Sequence, residues 1–258
     1  EALALLDEVE RHGPEDLSAL LCRAFVLRQR GDRAAAAAAV RRIVAEDPQL
    51  AVAHDLLGDL LAEESQVEEA LAARRRAVEL SSGEVDPRRH LGDLLQALGR
   101  LDEAKQVYDE ALAIDPQAWM IHNSLGSLHV RRGEAREALQ AFRKALVPEP
   151  RVEPLSNLGV LLRRIGRLEE GAKPLRLALK LAPDNVHVAN NLAVIEADQG
   201  RLPEAERRLR DVLERDPTYA VAHSNLVYFQ NFRDDVDPRR LFEAHLEWGR
   251  RHADPRAP

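Results

Sequence analysis

Three asparagines, Asn157, Asn191 and Asn225, recur every 34 residues in the second half of this 258-residue chain. A carboxamide carries one acceptor and two donors, so a row of them can hydrogen-bond the C=O and N–H groups of a peptide without reading its side chains. Asn123 and Asn190 stand one position earlier in the same frame. These five residues are therefore predicted to line a peptide-binding groove.

The spacing of this asparagine row fits an extended peptide. Helices packed side by side lie about 10 Å apart and an extended chain advances about 3.3 Å per residue, so one amide would meet about every third peptide residue. The equivalent positions in the first half are Leu56, His90 and Ser124, so the row belongs to the second half. One alternative stays open, in which the amides hydrogen-bond neighbouring helices or face solvent.

Histidines also recur in one frame and raise the question of a metal site. His54, His122 and His223 stand at equivalent positions of the 34-residue repeat that is described below. The nearest pair is two repeats apart, about 20 Å, whereas the ligands of one ion lie about 2 Å from it. We therefore predict buried or half-buried packing histidines, with no metal site and no cofactor.

An internal repeat of 34 residues must position these side chains. Four sets of residues share that period, which indicates a repeated structural unit. The sets are Gly58, Gly92, Gly126 and Gly159; Gly31, Ser65, Gly99, Gly133, Gly166 and Gly200; Ala36, Ala70, Ala104, Ala138, Gly171 and Ala205; and Pro48, Pro116, Pro150, Pro183 and Pro217.

Each set has a physical role in a helical hairpin. The glycines of the first set let a second helix approach closely, and the alanines of the third set are their expected contacts. The glycines of the second set end the first helix in a left-handed conformation, and the prolines end the second helix. Such a hairpin cannot bury its apolar face alone and must stack on its neighbours, so the predicted fold class is all-α.

In these residues and spacings the sequence resembles the tetratricopeptide repeat (TPR) family. The resemblance implies an α-solenoid, a right-handed superhelix whose first helices line a concave protein-binding groove. Six repeats are predicted over residues 17–219, after a partial repeat (second helix only) at 1–16 and before a degenerate seventh repeat with a capping or junction helix at 220–258. The chain begins without methionine inside a helical pattern, so we expect it to be a piece of a longer protein.

Two irregularities interrupt the array. The repeat that ends in "LVPEPRVEP" is one residue short, and the next one carries Gly171 in place of alanine and Pro174 inside its second helix. A proline inside a helix costs about 3 kcal/mol and kinks the axis. A local bend is therefore predicted at Pro174.

Composition argues against several classes of protein. The chain is 31% charged and 4% aromatic, and its net charge of −7 comes from interleaved signs, so no nucleic-acid footprint is recognisable. The longest apolar run, 34–40, is too short to cross a membrane. The single cysteine, Cys22, favours a reducing, cytoplasmic location and is predicted to be a small buried residue. No phosphate loop, Cys/His cluster or activated nucleophile is recognisable, so no catalytic site is predicted.

Aromatic residues concentrate at the end of the chain, where six of the ten lie between Tyr219 and Trp248. The repeat frame is lost here, since Val227 replaces a small residue, Asp234 stands where glycine is expected, and a further helix begins near Pro238. We predict that five aromatic residues of this segment dock another domain: Tyr228, Phe229, Phe232, Phe242 and Trp248.

The last 36 residues resemble the segment that joins the repeats to the catalytic half in bacterial relatives of O-GlcNAc transferase and in the plant SPINDLY-type enzymes. The resemblance rests on His223-Ser224-Asn225-Leu226, the aromatic pair after it, Leu241-Phe242, His245, Trp248 and His252-Ala253-Asp254-Pro255. It implies an arm that recruits protein substrates through Asn157, Asn191 and Asn225 for a separate glycosyltransferase domain. The alternative is a free-standing scaffold or adaptor that binds proteins or itself end to end.

Overall fold

The computed structural model describes residues 17–233 and 235–253, and within these residues it contains fourteen α-helices and no strand. The predicted partial repeat at 1–16, and Asp234, Asp254 and Pro255, lie outside the described residues. The helices are α1 (Leu17–Gln29), α2 (Arg33–Glu46), α3 (Ala51–Glu63), α4 (Val67–Leu80), α5 (Asp86–Ala97), α6 (Leu101–Ile114), α7 (Trp119–Arg132), α8 (Ala135–Lys144), α9 (Val152–Arg164), α10 (Leu168–Leu181), α11 (Val186–Asp198), α12 (Leu202–Arg215), α13 (Ala220–Gln230) and α14 (Pro238–His252).

The chain forms two compact units, and the boundary between them falls inside α7, after Leu128. Odd-numbered helices are the first helices of the hairpins and even-numbered helices are the second. First helices of successive hairpins contact each other directly: α3 with α5 in the first unit, and α9 with α11 and α11 with α13 in the second. We call this side of each unit the first-helix face, because it brings side chains from the same repeat position next to one another.

The turn that ends each first helix has the predicted left-handed residue. Gly31, Gly99, Gly133, Gly166 and Gly200 all have φ between 78° and 80°. Ser65 occupies the same place with φ 63°, a conformation that costs an L-residue with a side chain about 1–2 kcal/mol. The prediction for these turns is confirmed, and Ser65 shows that the backbone of the repeat imposes the conformation even without glycine.

The first-helix glycines allow close packing, although at Gly58 and Gly92 the nearest side chain is not the predicted alanine. A Cβ built on Gly58 would lie 2.7 Å from Cγ of Arg74, and one on Gly92 would overlap the ring of Tyr108. Both contacts lie one helical turn beyond the alanine of the third set. Those alanines are fully buried, so they bring the helices together while the side chain one turn later fills the space beside the glycine.

The second unit contains the two irregular repeats. Helix α10 runs through the buried Pro174, and the bend there stays a prediction. A Cβ on Gly171 would lie 2.9 Å from the carbonyl oxygen of Gly159, so this glycine permits a contact between backbones that alanine would obstruct. The shortened repeat has a second helix of 10 residues, α8, compared with 14 in α10.

Cys22 was predicted to be buried, and this was wrong, because its side chain is exposed. Leu20 and Ala24 are the buried residues of this part of α1. Cys22 lies two residues from each of them, about 200° around the helix, and therefore on the opposite side.

Candidate binding surfaces on the first helices

Amide side chains of the first-helix face join successive repeats in the second unit. Asn191 Nδ2 donates to Ser156 Oγ at 3.3 Å, and Asn225 Nδ2 donates to Asn190 Oδ1 at 2.9 Å. Each donor stands 35 residues after its acceptor, so each bond connects neighbouring first helices. The sequence left open whether the amides hydrogen-bond neighbouring helices. The structure contains such a bond for one N–H of Asn191 and one N–H of Asn225.

The five predicted groove residues differ in burial. Asn157, Asn191 and Asn225 are half-buried, and their 34-residue spacing places them in a row along the first-helix face. Asn123 and Asn190 are only 5% and 4% exposed. These two are packing residues beneath the surface, and Asn190 is an acceptor for the row.

Helix α14 ends this series of inter-repeat bonds. Trp248 Nε1 donates to Ser224 Oγ at 2.8 Å. Ser224 has the same repeat position as the acceptors Ser156 and Asn190. The indole N–H therefore occupies the place that the amide of a following repeat would take, and α14 caps the row.

An apolar row lies one helical turn beyond the asparagines. Val160 and Val194 are half-buried, and Tyr228 is 59% exposed. Each stands three residues after an asparagine of the row, on the same side of its helix. Of the equivalent residues in the first unit, Asp59 and Asp93 are acidic and Ser127 is polar, whereas Phe25 is an exposed aromatic residue, so the first-helix faces of the two units differ only in part.

The first-helix face of the first unit carries a network of charged side chains centred on Arg74. This residue of α4 is 4% exposed, and its guanidinium donates to both Asp55 and Asp59 of α3. Asp55 Oδ2 also accepts from His90 Nδ1 at 2.7 Å, again across 35 residues. The repeat position that bonds through amides in the second unit therefore bonds through a histidine and a carboxylate in the first.

The same network continues from His90 towards α7. Arg89 Nη2 donates to His90 Nε2 at 2.6 Å, which requires the proton of a neutral imidazole to be on Nδ1. Arg89 Nη1 donates to Asp93 Oδ2 at 3.2 Å. Asp93 Oδ1 accepts from the hydroxyls of Tyr108 at 2.6 Å and Ser124 at 2.9 Å. The charged side chains of this network are therefore paired with groups of opposite charge.

These contacts determine which groups of the network are ionised. Burial raises the pKa of Asp55, but the hydrogen bond from His90 and the charge of Arg74 outweigh it, and the pKa lies below its usual value. Burial, together with the charge of Asp93 and the hydrogen bond to it, raises the pKa of Tyr108 far above its usual value. Asp55 is therefore a carboxylate and Tyr108 a neutral phenol at neutral pH.

The three recurring histidines are packing residues, as predicted. They are 9%, 7% and 6% exposed at His54, His122 and His223. Nε2 of His54 lies 3.1 Å from the Pro48 carbonyl, and Nε2 of His122 lies 3.0 Å from that of Pro116. Within residues 17–233 and 235–253, no group of three or more His, Cys, Asp or Glu side chains is placed to hold a metal.

The aromatic residues of the last hairpin have different environments. Tyr228, Phe232 and Phe242 are 59%, 59% and 64% exposed, and the Tyr228 and Phe232 rings make an edge contact with centroids 4.9 Å apart. Trp248 is half-buried on Ser224.

Phe229 was predicted to dock another domain, but it is 6% exposed and packs in the core of the second unit. Ala222, Leu226 and Phe229 follow the four- and three-residue spacing of one helix side, and this side faces α12. That spacing was the sequence signal that separates Phe229 from its exposed neighbours.

None of the helices in the described part of the chain has the length and apolar composition needed to span a membrane.

Comparisons with known proteins agree with this architecture. Among curated proteins, no match to the sequence was found. Cut9–Hcn1, a hetero-tetramer of APC/C, is similar with a TM-score of 0.70 and 19% identity over 87% of this chain, which spans only 45% of that one.

Two bacterial structures match over most of their own length. A tetratricopeptide repeat protein from Parabacteroides merdae has a TM-score of 0.69 and 16% identity, covering 93% of this chain and 94% of that one. Pseudomonas aeruginosa pilF has a TM-score of 0.65 and 19% identity, covering 78% and 90%. At these identities the likeness shows the fold alone. A model of the tetratricopeptide repeat family matches residues 1–51, 90–152 and 156–220, more than half of the chain, and the protein belongs to that family.

Proposed function

We propose that this protein is a protein-interaction module that binds an extended segment of a partner on the first-helix face of its second unit. The observation that carries the proposal is the pair of parallel rows on this face. Half-buried amides recur at Asn157, Asn191 and Asn225, and Val160, Val194 and Tyr228 lie one helical turn beyond them.

Asn191 and Asn225 have hydrogen-bonding capacity beyond their inter-repeat bonds. The bonds to Ser156 and Asn190 use one N–H each of Asn191 and Asn225, whereas a carboxamide offers two donors and an acceptor. A peptide backbone lying along the row can use the second donor and the oxygen of these two residues. The apolar row beside it suits aliphatic side chains of the peptide, because their burial contributes about 25 cal/mol per Å².

The first unit favours a supporting role in this proposal. The Arg74 guanidinium is paired with both Asp55 and Asp59, and His90 and Arg89 extend the pairing. A ligand that bound these groups would have to replace bonds that already exist. We therefore assign peptide binding to the second unit.

The binding proposal is tested with peptides selected on the folded chain from a random display library and then measured by calorimetry. The triple variant N157A/N191A/N225A and the variant V194D should each weaken binding at least tenfold. The matched control is Q106A, which removes an exposed amide from the second helix α6 and should leave affinity unchanged. Affinity unchanged in a correctly folded triple variant would refute this role of the asparagines.

A narrower proposal concerns the exposed aromatic residues Tyr228, Phe232 and Phe242. We propose that they dock a further domain, as in the O-GlcNAc transferase-like enzymes that the last segment resembles, so that the repeats recruit protein substrates in the cytoplasm. Aromatic surface of this kind suits an interface whose counterpart is another folded domain. Reading the gene beyond Pro258 tests it: a glycosyltransferase domain supports the proposal, and a stop codon or an unrelated domain refutes it.

A further inference from the structure

Two histidines meet where the last helix contacts the last repeat. His223 Nδ1 of α13 lies 2.9 Å from His252 Nε2 of α14, and the rings make an edge contact with centroids 5.0 Å apart. His54 and His122, at the same repeat position as His223, instead use Nε2 to contact the carbonyl oxygen of a proline six residues earlier. The histidine pair is therefore a feature of the last hairpin and depends on α14.

Helix α14 is attached to α13 by few contacts. None of its residues is buried, although Leu241, Ala244 and Trp248 are half-buried. The polar connections are the histidine pair and the Trp248–Ser224 hydrogen bond. An element with so little buried apolar surface opens more easily than the repeats before it.

The bond between the imidazoles depends on their protonation. Two neutral rings form it because one nitrogen donates while the other accepts. One added proton can be shared by the pair, but a second leaves two N–H donors facing each other with like charges. We propose that His223 and His252 form a pH-sensitive latch that holds α14 on α13 near neutral pH and releases it when both rings are protonated.

Charged groups of both signs lie around the pair. Arg251 and Glu247 of α14 face it, and Glu214 of α12 lines the same crevice as Arg251 and His252. Burial, and then the nearby His252 and Arg251, lower the pKa of His223, while Glu247 opposes them. Attachment is therefore strongest above the ordinary histidine pKa of about 6.5, and it is lost as the pH falls below that value.

The indole N–H of Trp248 is a direct reporter of attachment. In the full chain carrying W119F, Trp248 is the single tryptophan, and the solvent exchange of its indole N–H is followed by NMR from pH 7.5 to 5.0. Protection should fall by up to about tenfold per pH unit below about pH 6.5 for each proton that attachment excludes. Hydrogen exchange in α11 and α12 is measured in parallel, and these helices should stay protected.

Two variants separate the latch from a general effect of acid. H252Q keeps a hydrogen-bonding group that does not titrate, so the Trp248 indole should stay protected down to pH 5.0. H245Q is the matched control, because His245 is exposed on the same helix, and it should behave as the parent does. Loss of protection at pH 7.5 in H252Q but not in H245Q would also support the latch, since it would show that His252 holds the helix.

Three results would overturn the proposal. The first is a Trp248 indole that stays protected in the parent down to pH 5.0. The second is a pH response of H252Q identical to that of the parent. The third is loss of protection in α12 at the same pH as in α14, because this would mean that acid unfolds the second unit rather than releasing its last helix.

Discussion

Replacing Arg74 with methionine tests the charged network of the first unit. The methionine keeps an apolar stem to pack beside Gly58 and removes the guanidinium that binds Asp55 and Asp59. The two carboxylates then remain without their shared cation, although Asp55 retains the hydrogen bond from His90 and Asp59 Oδ2 lies 3.6 Å from Arg28 Nη1. The change should therefore destabilise the protein mainly through uncompensated negative charge.

The magnitude follows from how deeply each group of the network lies. Removing one partner of a buried ion pair costs about 3–5 kcal/mol. The side chain of Arg74 is 5% exposed, but those of Asp55 and Asp59 are 18% and 39% exposed, and water screens their repulsion. We therefore expect R74M to lower the free energy of unfolding by about 2–3 kcal/mol.

Urea unfolding followed by circular dichroism measures this loss. The matched control is R76M, because Arg76 lies on the same helix and its partner Glu79 is 63% exposed. It should cost less than about 0.5 kcal/mol. A stability of R74M equal to that of R76M would refute the reasoning, because it would show that the buried guanidinium contributes no more than a surface charge.

Acid should reduce the difference between R74M and the parent. The pKa of Asp55 lies below its usual value in the folded protein, where burial is outweighed by His90 and Arg74. Its ionised form therefore contributes stability above the unfolded pKa of about 3.9, and this contribution is lost as the pH falls through the lowered folded value. A difference that stayed constant from pH 7 to below pH 3 would contradict this assignment.

The remaining predictions concern the backbone and are measured by thermal and urea unfolding. S65G should stabilise by about 0.5–1 kcal/mol because φ is 63° at Ser65, and a loss would contradict the strain assigned to it. G92A should lower the free energy of unfolding by about 1–3 kcal/mol, because its Cβ would overlap Tyr108. G249A should raise it by up to about 1 kcal/mol, because a Cβ at this helical position would meet nothing within 4 Å. Equal effects of the two substitutions would contradict this account of the packing. P174A should raise the melting temperature, and a clear decrease would mean that a bend at Pro174 belongs to the native packing.

Much of the fold could be predicted from residue types because it depends on local geometry. A period of 34 residues identified the hairpins, and the second set of glycines predicted the left-handed turns, which have φ near 78–80°. The burial of His54 and His122 also followed from their repeat position. The turns need only neighbours within a turn or two of the chain, and the burial follows because every repeat packs on its neighbours in the same way.

The chemistry of the candidate surface could be predicted only in part. The asparagine row was visible as a spacing, but neither Ser156 as the partner of Asn191 nor Asn190 as the partner of Asn225 could be read from it. Tyr228 and Phe229 are adjacent aromatic residues, yet one is 59% exposed and the other 6%. A shift of one residue turns a side chain by about 100° around the helix, and the neighbouring helices decide which direction is buried.

The sequence by itself determined the repeat, its helices and its left-handed turns, because backbone preferences and the alternation of small and large residues act over short distances. Only the tertiary structure decided that Arg74 lies beneath two aspartates, that Trp248 takes the place of a repeat amide, and that His223 meets His252. These partners stand 15 to 29 residues apart in the chain. Helix packing brings them together, and their identity depends on the angle and depth at which each helix meets the next.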